Sequence, residues 1–170
     1  GFGGREFGEE TGAKYLNSPD SIIYHKSNCL YGLDRAKDAI RGEDRAIFVE
    51  GYMDQVMLAQ HGITNVTAPL GTALTTGHLK LISRQTRNLI VVFDGDEAGK
   101  RATMRSLETF LEVGLSPRAV VLPTGEDPDT LVRKEGEKNF RKRIENAVSL
   151  FEYFVDQIIN EEGTDASGRI

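Results

Sequence analysis

The run Asn88-Leu89-Ile90-Val91-Val92-Phe93 stays apolar at successive positions after its leading asparagine. A strand wetted on one face alternates apolar and polar residues. A strand without a polar face must be covered on both sides, as the central strands of parallel sheets are. This run therefore demands a sheet with layers above and below it, and the rest of the chain has to supply them.

The neighbouring segments read accordingly. Ala46-Ile47-Phe48-Val49 is a short buried strand. Asp54 to His61 reads as a helix with Gly62 as its stop, and Asn65 to Ala68 as a second strand. Thr75 or Thr76 caps a helix carrying Leu79, Leu81 and Ile82. Glu97 to Val113 is a helix whose core stripe is Met104, Leu107, Phe110 and Leu111, ended by Gly114, and Ala119 to Leu122 is a fourth strand. Strands alternating with helices of this length form βαβ units, so the fold class is α/β, Rossmann-like, with a mainly parallel central sheet flanked by helices. Before the alternation, Gly1 to Ser21 reads as loop or irregular β structure. Ser27 or Asn28 is expected to cap a helix carrying Leu30, Leu33, Ala36, Lys37 and Ile40, with Gly42 as its stop. After Pro123 every periodic segment reads as helical to about Glu162, a C-terminal helical appendage, and 163–170 reads as a mobile tail.

Composition narrows the function classes. The chain has 170 residues, a hydrophobic fraction of 39% and a charged fraction of 28%, which suits a globular domain with a real core. No apolar stretch approaches the roughly 20 residues that span a bilayer, so no membrane partner is expected. One cysteine, Cys29, excludes an internal disulfide and a cysteine-built zinc site within the chain and favours a cytoplasmic setting. The glycine-rich opening without an initiator Met is expected of a piece of a longer protein.

The acids carry the chemistry. In an open parallel sheet, ligands bind outside the carboxyl ends of the strands. One strand ends in Glu50-Gly51, another in Asp94-Gly95-Asp96, and a third leads through Gly125-Glu126 to Asp127-Pro128-Asp129. Glu50, Asp94, Asp96, Asp127 and Asp129 therefore converge on one edge. This all-oxygen set suits a hard divalent cation, Mg²⁺ or Mn²⁺, that keeps part of its coordination for water and phosphate. Gly51 and Gly95 let the backbone turn sharply beside the acids. The competing reading is that such acids cap helices, as an Asp-Pro-Asp does well. A calcium-loop reading fails, because Ala98 stands where a further ligand is needed and a strand precedes the motif. Glu97 belongs to the first turn of the following helix, where its charge favours the helix dipole. Net charge is −5, yet basic residues gather at Arg5, Lys14 and Lys26 and again at Arg84, Arg87, Lys100, Arg101 and Arg105. His25, His61 and His78 are expected at the surface or at caps.

"FVEGYMD" (48–54) followed by "VVFDGDEAGKRA" (91–102) resembles the Toprim domain, whose signature is one Glu after a first strand and Asp-x-Asp after a later one. With "GFGGR", "KYLNSP", "YGLDRAKDAI", "APLGTALT" and "GEDPDTLVRKEG" in the same order, residues 1 to about 136 resemble the catalytic core of bacterial replicative primases of the DnaG type. The resemblance implies a DNA-dependent RNA polymerase that makes short primers for DNA replication by metal-assisted nucleotidyl transfer. It implies catalytic acids at Glu50, Asp94 and Asp96 and metal ligands at these plus Asp127 and Asp129. It implies nucleotide or template contacts at Arg5, Lys14, Tyr15, Asn17 and Lys26, and a turn beside the site at Gly71 and Thr72. Glu50 is open between metal ligand and proton shuttle.

The implied domains are 1–44, the end of the N-terminal subdomain of the core; 45–125, the Toprim domain; 126–162, a helical subdomain; and 163–170, a tail. The implied partners are single-stranded DNA template, ribonucleoside triphosphates, and a replicative helicase bound through a C-terminal domain that this chain lacks. The implied cofactor is Mg²⁺ or Mn²⁺, with zinc confined to the family's N-terminal domain, and the implied place is the bacterial replication fork. Another Toprim enzyme, a nuclease or topoisomerase, is the alternative, and a binding module whose acids only cap helices is a third.

Overall fold

A computed structural model of the chain describes residues 2–5 and 15–166, without the side chains of residues 5, 15, 97, 100 and 160–166. The elements in chain order are β1 Gly3–Arg5, β2 Tyr15–Asn17, a 3₁₀ turn Lys26–Asn28, β3 Leu30–Tyr31, α1 Leu33–Glu43, β4 Ala46–Val49, α2 Tyr52–Gln60, β5 Val66–Pro69, α3 Thr76–Ile82, β6 Leu89–Val92, α4 Glu97–Glu112, β7 Arg118–Val120, α5 Pro128–Glu145, β8 Val148–Ser149 and α6 Leu150–Ala166.

Six strands form one sheet in the order β3-β5-β4-β6-β7-β8. β5, β4, β6 and β7 run parallel to one another, while β3 and β8 close the two edges in antiparallel sense. The two strands with most residues in register, β4 and β6, sit side by side, Ile47 against Ile90 and Val49 against Val92. Their side chains alternate between two cores. Ile47, Val49, Ile90 and Val92 face Leu58 of α2 and Leu131, Val132, Phe140 and Ile144 of α5. Ala46, Phe48, Leu89 and Val91 face Ala36 and Ile40 of α1, Leu79 and Ile82 of α3, Leu107 and Phe110 of α4, and Leu150 of α6. All four residues of both strands are buried. The absence of a polar face in their sequence is thus the consequence of two covering layers.

Four expectations are corrected. The helix expected from Ser27 or Asn28 begins at Leu33, because Leu30 and Tyr31 pair with Pro69 and Ala68 as an edge strand. A tertiary ladder outcompetes the local cap there. That helix also runs past Gly42 to a cap at Asp44, which holds the left-handed region at φ 44°. Asp tolerates this conformation, and its carboxylate accepts from Thr86 Oγ1 and Asn88 Nδ2, both at 2.7 Å. The segment after Pro123 is not purely helical: Val148 and Ser149 pair with Ala119 and Arg118 of β7. Two residues are too few to leave a periodic signature, so only the edge of β7 reveals this strand. α6 continues to Ala166, beyond the expected end near Glu162.

At the other end of the chain, β1 and β2 form a small antiparallel hairpin apart from the main sheet. Among the described residues, no helix is long and apolar enough to cross a membrane.

Candidate active site at the carboxyl edge of the sheet

A cavity of about 290 Å³ opens at the carboxyl end of β4 and β6, lined by Asn17, Glu50, Tyr52, Asp54, Asp94 and Asp127, with Gly51, Met53, Pro69, Gly71 and Asp129 completing it. Among the described residues, none that lines it is basic. Four of the five expected acids are in this wall: Glu50, Asp94, Asp127 and Asp129. The fifth, Asp96, is not. It is exposed and caps α4, its Oδ1 accepting from Gly99 N–H at 2.7 Å. Its charge still reaches Glu50 electrostatically.

Each acid is delivered by a different local device. Glu50 follows the last residue of β4, and its Oε1 accepts from the backbone N–H of Asp94 at 3.3 Å, which ties the ends of β4 and β6 together. Asp127 caps α5, accepting from Thr130 N–H at 2.6 Å with Pro128 in the first turn. Asp129, one residue further on, pairs with Arg133. The loop carrying Asp127 is pressed onto the Asp94–Asp96 turn through Gly95. Gly95 N–H donates to Glu126 O at 2.8 Å, and Gly125 N–H donates to Gly95 O at 3.0 Å. A Cβ on Gly95 would lie 2.0 Å from the Pro123 carbonyl oxygen, so only glycine permits this approach.

Sequence reasoning missed Asp54. It stands in the quoted "FVEGYMD" stretch and in the first turn of α2, yet was read only as part of that helix. The available signal was its position: an acid four residues after Glu50, one turn into a helix that starts where the strand ends. Its carboxyl is pushed up to about 7, first by burial and then by the charges of Asp94 and Asp127. Glu50 is also raised, by burial first and then by Asp94, against the N–H of Asp94 and the nearby Arg105. Both shifts have the same origin: more negative charge than the cavity can solvate.

The donor set suits a hard divalent cation, being all oxygen, with Asp129 paired to a cation, Arg133. It is an open arrangement: among the described residues, no three His, Cys, Asp or Glu side chains form a ready metal cage. Such openness matches a cation that keeps waters or takes substrate oxygens.

The remaining expected residues divide. Asn17 reaches the cavity wall from β2 and packs against Gly71, which adopts φ +63°; a Cβ there would meet the Asn17 amide at 2.2 Å. Thr72 lies on a neighbouring cavity of about 190 Å³ that shares Glu50 and Pro69 with the first. Lys26 is half-buried in the 3₁₀ turn and does not line the acid cavity. Lys14 lies outside the described residues, as do the side chains of Arg5 and Tyr15; the backbones of Arg5 and Tyr15 pair in the hairpin. His78, expected at a surface or cap, does cap α3 but is fully buried.

A family model described as Toprim-like matches residues 47–132, and one described as the N-terminal domain of the DNA primase catalytic core matches residues 1–37. The chain belongs to the Toprim-like family. Within it, the chain is similar to bacterial DNA primases. It is 47% identical to the DNA primase of Escherichia coli strain K12 over 162 residues, which cover 94% of this chain and 28% of that protein. The crystal structure of a DNA primase domain from Pseudomonas aeruginosa superposes with a TM-score of 0.86 at 47% identity, covering 94% of this chain and 50% of that one. A structure of the DnaG primase catalytic domain bound to single-stranded DNA superposes with a TM-score of 0.82 at 46% identity, covering 94% and 52%. The chain thus spans about half the length of these solved structures and under a third of the curated relative.

Proposed function

We propose that this chain is the acid-bearing part of a bacterial primase catalytic core, acting in RNA primer synthesis on a single-stranded DNA template. The observation that carries the reading is the convergence of Glu50, Asp54, Asp94, Asp127 and Asp129 on one cavity, in a chain 47% identical to a DNA primase over 94% of its length. The division into 1–44, 45–125, 126–162 and 163–170 is part of the proposal. Matches of the two family models to residues 1–37 and 47–132 support its first boundary.

In the reaction, the 3′-hydroxyl of one nucleotide attacks the α-phosphorus of the next and pyrophosphate leaves. Glu50, Asp54, Asp94, Asp127 and Asp129 would hold Mg²⁺ or Mn²⁺, with Asp96 adding its field from the cap of α4. A divalent cation bound there acidifies the attacking hydroxyl and neutralises phosphate oxygens. Asp54, pushed up to about 7 first by burial, is the group able to take up a proton near neutral pH, and burial raises Glu50 in the same direction. The Asn17 amide offers a donor to a phosphate or sugar oxygen. Lys26, with Arg5, Lys14 and Tyr15, provides cations and an aromatic surface for triphosphate and template. Ribonucleoside triphosphates as substrates, a replicative helicase as partner and the replication fork as location belong to this same reading.

The test is a Mg²⁺ and Mn²⁺ titration of the chain followed by thermal unfolding, with Glu50→Gln and Asp94→Asn beside it. Saturable stabilisation of the wild type that each variant loses supports the reading. Identical responses in all three refute it.

A further inference from the structure

His78 plays no part in the acid cavity, yet it is fully buried and both of its ring nitrogens are engaged. Nδ1 accepts from Thr75 N–H at 3.2 Å, and Thr75 Oγ1 accepts from His78 N–H at 3.2 Å, so the pair closes a capping box at the start of α3. Nε2 lies 2.7 Å from the carbonyl oxygen of Lys26. Because Nδ1 receives an N–H, the network assigns the ring proton to Nε2, which donates to Lys26. A cap requires only the first of these bonds. The second reaches across 52 residues of sequence to a different part of the chain.

The same helix start grips the rest of that turn. Thr75 Oγ1 donates to Ser27 O at 2.7 Å. Gly77 lets α3 come close: a Cβ there would lie 2.5 Å from Ser27 O and 2.3 Å from Asn28 Oδ1. From the opposite side, Lys26 N–H donates to the Asp20 carboxylate at 3.0 Å. The backbone of Lys26 is therefore held at both its N–H and its carbonyl. Its ammonium, among the described residues, pairs with no carboxylate. A cation on a doubly anchored backbone, without a carboxylate partner among the described residues, is arranged to meet an external anion. Thr75 also ends the loop that starts at Gly71 in the cavity wall, so one helix start fixes both the cavity loop and the Lys26 turn.

We propose that His78 is a positioning residue for phosphate recognition: through Nε2 it holds the Lys26 turn on α3, so that the Lys26 ammonium is presented as a fixed cation to the backbone of a bound strand. This rests on the reading of Lys26 as a nucleic-acid contact.

The experiment measures binding of a fluorescent single-stranded DNA oligonucleotide to the full 170-residue chain by anisotropy across a salt series, with Mn²⁺-dependent thermal stabilisation as the companion readout. Asparagine at position 78 can place an acceptor where Nδ1 stands and keep the cap, while glutamine can place a donor where Nε2 stands and keep the tether. His78→Asn is expected to weaken binding about tenfold and lower the salt slope by about one, as Lys26→Ala does. His78→Gln is expected to stay within about twofold of wild type. Asp20→Ala, an exposed change that frees the same turn without touching α3, should weaken binding about threefold. All four variants should keep the Mn²⁺ response.

Wild-type binding by His78→Asn overturns the proposal, and so does equal weakening by His78→Asn and His78→Gln, which marks a purely structural histidine. Wild-type binding by Lys26→Ala overturns the premise about Lys26 and the proposal with it. Loss of the Mn²⁺ response in the wild type refutes the metal-site reading alone.

Discussion

Replacing Asp54 by Asn should stabilise the metal-free chain at neutral and alkaline pH. Asp54 is held at about 7 in the fold against 3.8 for an unperturbed group. The unfolded chain therefore releases this proton near pH 3.8, while the folded chain retains it until about pH 7. Between those values the folded state binds more protons, so stability falls as pH rises across the window and levels off above it. The difference is about 3 units, and at about 1.4 kcal/mol per unit the ionised group costs up to about 4 kcal/mol of stability above pH 7. An amide at position 54 carries no charge and keeps an acceptor for the backbone N–H of Asp129 that now bonds the carboxylate. In EDTA at about pH 8, Asp54→Asn should raise the melting temperature by as much as about 10 °C for a chain of this size. Urea unfolding of the wild type from about pH 4 to pH 8 should show the decline, with Glu50 contributing in the same direction. With Mn²⁺ added, the order should invert, because the wild type gains a ligand and the variant has lost one. A wild-type profile that is flat or rising across that window, or an Asp54→Asn chain less stable than wild type in EDTA, would show that the cavity does not store this repulsion.

Other changes probe how the edge is assembled. Gly95→Ala puts a Cβ at 2.0 Å from the Pro123 carbonyl oxygen; it should cost about 2–3 kcal/mol in urea unfolding and diminish the Mn²⁺ response by parting the two acid loops. Asp127→Ala removes the cap of α5 and should cost about 1 kcal/mol, with a weaker Mn²⁺ response as well. Asp96→Ala should cost a similar amount as the loss of the α4 cap, but should shift the Mn²⁺ midpoint less than Asp94→Ala, since only Asp94 lines the cavity. Phe140→Ala, fully buried and not among the residues lining the acid cavity, should cost about 3–5 kcal/mol and leave the Mn²⁺ midpoint of the folded fraction unchanged.

Most of the sheet was legible along the chain because its strands are short, wholly apolar and punctuated by glycine. Leu89 to Val92 needs no partner to reveal that it is buried on both sides. The start of α3 was legible for a similar local reason, Thr75 or Thr76 being the offered caps and Thr75 bonding the N–H three residues ahead. Asp96 and Asp127, read first as metal ligands with capping as the competing reading, both cap helices. The strands Leu30–Tyr31 and Val148–Ser149 were not legible, because two residues carry no period and become strands only by pairing with β5 and β7.

The acids show the same split. Sequence alone determined that Glu50, Asp94, Asp127 and Asp129 leave the sheet at one edge, since parallel strands point their carboxyl ends the same way. The fold decided which carboxylates share a cavity. It turned Asp96 away to cap α4, brought Asp54 in from the first turn of α2, and raised Asp54 and Glu50 by burying them beside Asp94. It also buried His78 and joined it to Lys26, a bond no spacing predicts. Direction along a strand is a property of the chain, whereas side-chain burial and the field of neighbouring charges exist only once distant segments have packed.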